Sequence, residues 1–387
     1  MAYKAERIPI LDGIRAYAVL AVCIVHFFHV DETGLYETNR LVGVFLFKIT
    51  DLGARGVELF FILSGFLITG ILIDTKKSSR FFTSFYARRF LRIFPLYYTV
   101  LFVTFIILPR FYHPDSEGLK VIDNQVWLWT YTSNLSFLWD FNGWAGSQNF
   151  PWVNHFWSLC VEEHFYVVWP LIIYITNEKW LPKMMYIILF ISLLSVILSY
   201  IFNDMFPILK WTTIRCGGVL SLGGLIAYFF RSPRQFDRLS ALALKYLWPT
   251  AGLLILVNFI PRRYALNDLA TFITSATFFA MLLVVSIKGN RITDRLFDHK
   301  ILFFIGKISY GIYIYHGMVR PFLYNYLYTE VFSTIPNTIL SSSIYTLVCT
   351  LISILIAWVS WQVLEEPILR AKKYFNYNPL SPLTSKS

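Results

Sequence analysis

Residues 11–28 read LDGIRAYAVLAVCIVHFF, a run that with its flanks is long and apolar enough to cross a bilayer, yet it carries Asp12, Arg15 and His26. Ionisable groups are costly in lipid, so those that persist usually face a bundle interior or a watery cavity and mark a functional path. Asp12, near the end of the run, is equally well explained by a side chain reaching back to the interface. Arg15 and His26 are harder to place that way. Lys4 and Arg7 give the start the look of a signal peptide. The apolar run is too long for one, and no small-residue cleavage site follows it, so it reads as an uncleaved first span.

Composition agrees. Hydrophobic residues make up 56% of the 387, charged residues 15%, and mean hydropathy is +0.55, whereas soluble domains carry roughly 25% charged residues. The chain reads as an all-α polytopic membrane bundle of about ten spans. These fall near 10–29, 53–73, 93–108, 159–175, 184–202, 212–230, 242–260, 269–287, 301–319 and 340–363. The fourth is interrupted by Glu162, Glu163 and His164, and the seventh carries Lys245, so these two are the weakest. Segment 74–92 holds Lys76, Lys77, Arg80, Arg88, Arg89 and Arg92. With both tails and the loops on its side, it has more than twice the Lys and Arg of the opposite face, which makes that side and both termini cytoplasmic. The net charge of +11 then reflects topology and anionic lipid rather than nucleic acid.

Residues 1–370 form one membrane domain and 371–387 a short polar tail. Cys23, Cys160, Cys216 and Cys349 fall in or beside spans, with neither a disulfide framework nor zinc spacing. The one long connection, 110–157, lies opposite the cytoplasm and holds Trp127, Trp129, Trp139, Trp144, Trp152 and Trp157. Such tryptophans fit an interfacial belt or a sugar-stacking surface, the belt better for at least half of them. Asn134-Leu135-Ser136 is a formal glycosylation sequon, meaningful only in a eukaryote.

The buried polar groups sort by depth. At about 1.5 Å per residue, Arg15 and His26 lie roughly 16 Å apart, in different halves of the membrane. Glu58, Glu162, Glu163, Tyr313 and His316 fall in the layer of His26, with Ser309 and Tyr310 near mid-membrane. Arg88, Arg89 and Arg92 share the layer of Arg15. A histidine beside a carboxylate suits general-base catalysis, and clustered arginines suit phosphates. The plainer alternatives are arginines that only enforce topology and a His316 that is a satisfied core residue. His26, His29, His155, His164 and His316 all lie toward one side, but only His26 and His29 have helical ligand spacing, so no metal is expected.

Six segments, LDGIRAYAVLAVCIVH, GVELFFILSGFLITG, RRFLRIFPLYY, FWSLCVEEHFYVVWP, ISYGIYIYH and LEEPILR, resemble in order the motifs of the acyltransferase-3 family, integral-membrane O-acyltransferases that include the bacterial O-antigen acetylases. The resemblance spans residues 11–370. It implies transfer of an acyl group, commonly acetyl from cytoplasmic acetyl-CoA, to a hydroxyl of an extracytoplasmic acceptor, often a surface carbohydrate, in a bacterial plasma membrane. Arg15 and His26 resemble the family's Arg-x10-His pair, Arg89 and Arg92 its Arg-x-x-Arg pair, and Glu162 and Glu163 its paired glutamates. Glu58 stands where Asp is frequent. Many relatives append an extracytoplasmic esterase-like domain that this chain is expected to lack, which leaves the acceptor open.

The resulting expectation places Arg15, Arg89, Arg92 and, less directly, Arg88 on the phosphates of acyl-CoA. His26, oriented by Glu58, Glu162 or Glu163, acts as general base or as covalent acyl relay. Tyr313, Ser309 or a backbone amide stabilises the oxyanion. The competing class is a proton-coupled transporter of lipid or saccharide, which also uses intramembrane Glu, His and Arg. Against it stand the lack of an inverted repeat and the basic cluster.

Overall fold

The computed structural model describes residues 8–28, 39–111, 113–135, 151, 153–201, 213–260, 265–335 and 337–377. His29, Trp139, Trp144, Trp152 and the Ser136 of the sequon lie outside them. Among the described residues there is no strand, and nine helical stretches are long and apolar enough to cross a membrane.

Helix α1 is Pro9–Phe27, entered through a proline in its first turn. Helix α2 (Arg40–Asp51), capped by the Asn39 side chain on the Val42 amide, runs through a 3-10 turn into α3 (Gly56–Thr75). Then follow α4 (Phe81–Phe102, prolonged by π and 3-10 turns to Arg110), α5 (Trp157–Ile175), α6 (Leu181–Ile201), α7 (Thr213–Phe230), α8 (Pro233–Phe259) and α9 (Ala265–Lys288). The short α10 (Arg291–Phe297) and α11 (Lys300–Lys307) lead to α12 (Ser309–Leu323) and α13 (Thr338–Ser360). Helix α13 is prolonged by a π turn at Trp361–Glu365.

The sequence does not anticipate three features. The basic segment 81–92 is helical, because α4 starts at Phe81 and carries Arg88, Arg89 and Arg92 on its own surface; arginine is a good helix former and does not end a helix. The expected span 301–319 is broken at Ile308 into α11 and α12. Helix α2 extends the second span by a further three turns. The charged middle of the fourth expected span, by contrast, leaves α5 continuous.

Helix α1 is the centre of the site-bearing half and packs on α3, α11, α12 and α13. Ile14, Val19, Val22, Cys23 and Phe27 are fully buried in it. Two close approaches fix the frame, since a Cβ on Gly306 would meet Asp12 O at 1.9 Å, and one on Gly65 would meet Leu220 O at 1.9 Å. Close backbone contact through small residues drives helix association where solvent is lipid. Helices α6 and α8 turn large apolar side chains outward, Phe190 and Leu256 among them, as a lipid-facing surface requires. The four cysteines are free and buried. Trp127, Trp129 and Trp157 pack partly buried against the core.

A Gly65→Val variant is expected to lose about 1–3 kcal/mol of stability or more through overpacking. Gly252→Val, whose Cβ meets nothing within 4 Å, is the control; thermal melts in detergent compare the two, and equal melting points would contradict the packing.

Candidate active site

Residues Arg89 and Arg92 sit three apart on α4 and so share a face. Both line a cavity of about 130 Å³, together with Arg15 of α1, Ser64 of α3, Glu162, Glu163 and Tyr166 of α5, and Ser309, Tyr310 and Tyr313 of α12. Arg15 is held by Asp12 at 3.0 Å, so the buried Asp12 anchors a cation inside the bundle and does not reach for the interface. The Arg92 guanidinium lies over the Trp361 ring at 5.3 Å, 4.0 Å from Glu365, and donates to Lys307 O at 3.4 Å. Glu365 is buried and reaches this spot because the π turn ending α13 rotates it there. The Arg89 guanidinium lies over the rings of Phe85 and Tyr166, each at 5.9 Å. Arg88 points elsewhere, its Nη1 donating to Lys372 O, Phe375 O and Asn376 Oδ1 at 3.4, 3.3 and 3.1 Å.

The carboxylates separate. Glu162 accepts from the Tyr166 hydroxyl at 3.1 Å, which in turn contacts Ser64, and it lies in the field of Arg15 and Arg89. Glu163 is buried with Oε1 lacking a hydrogen-bond partner. The glutamates therefore share the cavity of the arginines. Glu58 turns away to Arg55 at 3.0 Å and is not in the cavity lining.

His26 Nδ1 instead meets His316 Nε2 at 2.9 Å, with the two rings stacked, and His316 Nδ1 lies 2.6 Å from Tyr313 O. A carbonyl only accepts, so His316 carries its proton on Nδ1 and, as a neutral ring, presents a lone pair on Nε2. His26 then donates from Nδ1 to that lone pair. A histidine nitrogen thus stands beside His26 Nδ1, where the sequence reading expects a carboxylate. Neither histidine lines the cavity; Tyr313 does, with its ring 5.6 Å from that of His316. The Tyr313 hydroxyl lies 2.6 Å from Ser158 Oγ and 3.1 Å from His155 O. Arg320 Nε donates to His26 O at 3.0 Å, pinning the end of α1 to α12.

Residues Ser158, Tyr166, His155 and Glu365 go unassigned in the sequence reading. A signal existed for two of them, because Ser158, Glu162 and Tyr166 recur at four-residue spacing, one face of a helix. His155 and Glu365 carry no such periodicity. Among the described residues no three His, Cys, Asp or Glu side chains converge as a metal site would need.

A family model described as an acyltransferase domain, that of the acyltransferase-3 family, matches residues 8–360. The chain belongs to this family. It is 30% identical over 344 residues to the peptidoglycan O-acetyltransferase OatA of Listeria monocytogenes, covering 81% of this chain and 49% of that one. It is 26% identical over 350 residues to the O-acetyltransferase OatA of Staphylococcus aureus, covering 84% and 52%. The chain thus spans about half the length of the curated relatives it matches. No solved structure matches it. With nine apolar helices among the described residues, this acyltransferase-3 protein is a multi-pass integral membrane protein.

In histidine-labelled protein, nitrogen NMR is expected to find His26 protonated on Nδ1 and bare on Nε2, and His316→Ala to abolish that preference. A His26 Nδ1 without a proton in the unaltered protein would contradict the hydrogen-bond chain.

Proposed function

We propose that this protein is a membrane O-acyltransferase that moves an acyl group, acetyl first among candidates, from cytoplasmic acyl-CoA to a hydroxyl of an extracytoplasmic carbohydrate. The observation that carries the reading is one cavity running from Arg15, Arg89 and Arg92 to Tyr313, the residue that abuts the His26–His316 pair. Family membership and the printed names of the relatives support the reaction class, and the Listeria relative makes cell-wall glycan the first acceptor to try.

In this mechanism Arg15, Arg89 and Arg92 bind phosphate oxygens by charge and forked hydrogen bonds. The thioester then lies toward Tyr313. His26 Nε2 takes the acceptor's proton as its oxygen attacks the thioester carbonyl, so a C–O bond forms, the C–S bond breaks, and the proton passes to the CoA sulfur. The variant in which His26 is acylated first uses the same lone pair. Tyr313, with Ser158 beside it, is the hydroxyl nearest the developing oxyanion. His316 sets the reactive tautomer and is a positioning residue. Both termini are placed on the arginine side, because the basic segments gather there.

Binding and turnover of acetyl-CoA by purified protein test this. His26→Ala should keep binding and lose about 10²–10⁴-fold in turnover, whereas Arg89→Ala should weaken binding by about tenfold or more. Wild-type protein that binds no acyl-CoA, or a fully active His26→Ala variant, would sink the assignment.

A further inference from the structure

Beyond the last membrane helix the chain does not trail away. Residues Arg370–Tyr374 form a 3-10 turn, and the segment through Tyr377 lies along α4. Arg88 clamps it with the three hydrogen bonds given above, to Lys372, Phe375 and Asn376. Ser84 Oγ donates to Asn376 O at 3.3 Å, and the Arg88 guanidinium faces the Tyr377 ring at 6.0 Å. A guanidinium nitrogen turned to two backbone carbonyls and an amide oxygen is spending its donors on holding a segment.

What the clamp positions is Lys372. Its side chain is half-buried and in the electrostatic field of Arg89, Arg92 and Arg88, and no acid among the described residues pairs with it. Glu365 faces Arg92. These four basic side chains lie close enough to interact, and a polyanion bound among them would relieve their mutual repulsion. Two of the four, Arg89 and Arg92, already line the cavity.

We propose that residues 370–377 are a strap completing the mouth of the donor site, with Lys372 as a further phosphate-binding residue and Arg88 acting through the strap. This rests on the acyl-CoA reading above. The ligand chemistry is a phosphate ester, from a soluble acyl-CoA and not from a lipid headgroup. Lysine suits that place as a compact point charge at the end of a flexible stem, tracking a phosphate that the fixed arginine forks do not reach.

The test is CoA binding by full-length protein in zwitterionic nanodiscs at two salt concentrations, with pantetheine, which lacks the phosphoanhydride and the 3′-phosphate, as comparator. Lys372→Ala should weaken CoA by about tenfold and flatten its salt dependence while leaving pantetheine unchanged. Lys372→Arg should restore most of the affinity. Arg88→Ala should weaken CoA too, and adding it to Lys372→Ala should cost little more, because both act through one strap. CoA affinity unchanged in Lys372→Ala would overturn the strap proposal while leaving the donor site standing. So would an effect of Lys372→Ala seen only with anionic lipid present, which would assign the lysine to headgroups. Failure of the wild-type protein to bind CoA would instead overturn the acyl-CoA reading itself.

Discussion

The hydrogen bond from His26 to His316 joins the end of α1 to the middle of α12, two helices that run the same way from Arg15 to His26 and from Ser309 to His316. At the other end of α1 the Asp12 backbone meets Gly306 of α11, the element just before α12, and Arg92 of α4 reaches Lys307 O of that same element. The distance between the arginine end and the histidine end is therefore set by two rigid elements, about 16 Å along α1. Inside a low-dielectric bundle a polar group without a partner is costly, so the histidine pair also selects one arrangement of the two helices. Arg320 on the His26 carbonyl adds a second tie at the same place.

Charge is graded along the cavity that this frame encloses. Arg89 and Arg92 stand at one end, Glu162 and Glu163 lie deeper, and the hydroxyls of Tyr313 and Ser158 mark the approach to the histidines. A ligand with anionic groups at one terminus and a neutral electrophile at the other matches that order. A uniformly charged ion does not.

Much of this was legible in the sequence, for physical reasons that differ by residue. Apolar runs of bilayer length marked the long helices, since lipid demands that every backbone group be satisfied internally. The break at Ile308 left no such mark, because the stretch 301–319 keeps bilayer length and an apolar balance across it. Arg15, Arg89, Arg92, Glu162, Glu163 and Tyr313, chosen by depth and residue type, are brought to one cavity. Depth alone could not say which neighbour each side chain takes. Glu58 pairs with Arg55 three residues before it, Arg88 turns to a carboxy-terminal segment read as a tail, and the partner on His26 Nδ1 is a histidine.

The central claim is that one ligand spans from the arginines to His26, and a cryo-EM structure with a non-hydrolysable acetyl-CoA analogue tests it most directly. The account predicts phosphate oxygens within hydrogen-bonding distance of Arg89 and Arg92 and the acyl carbonyl carbon beside Tyr313, facing His26 Nε2. Density for the analogue outside this cavity, or with its acyl end at the arginines, would contradict it.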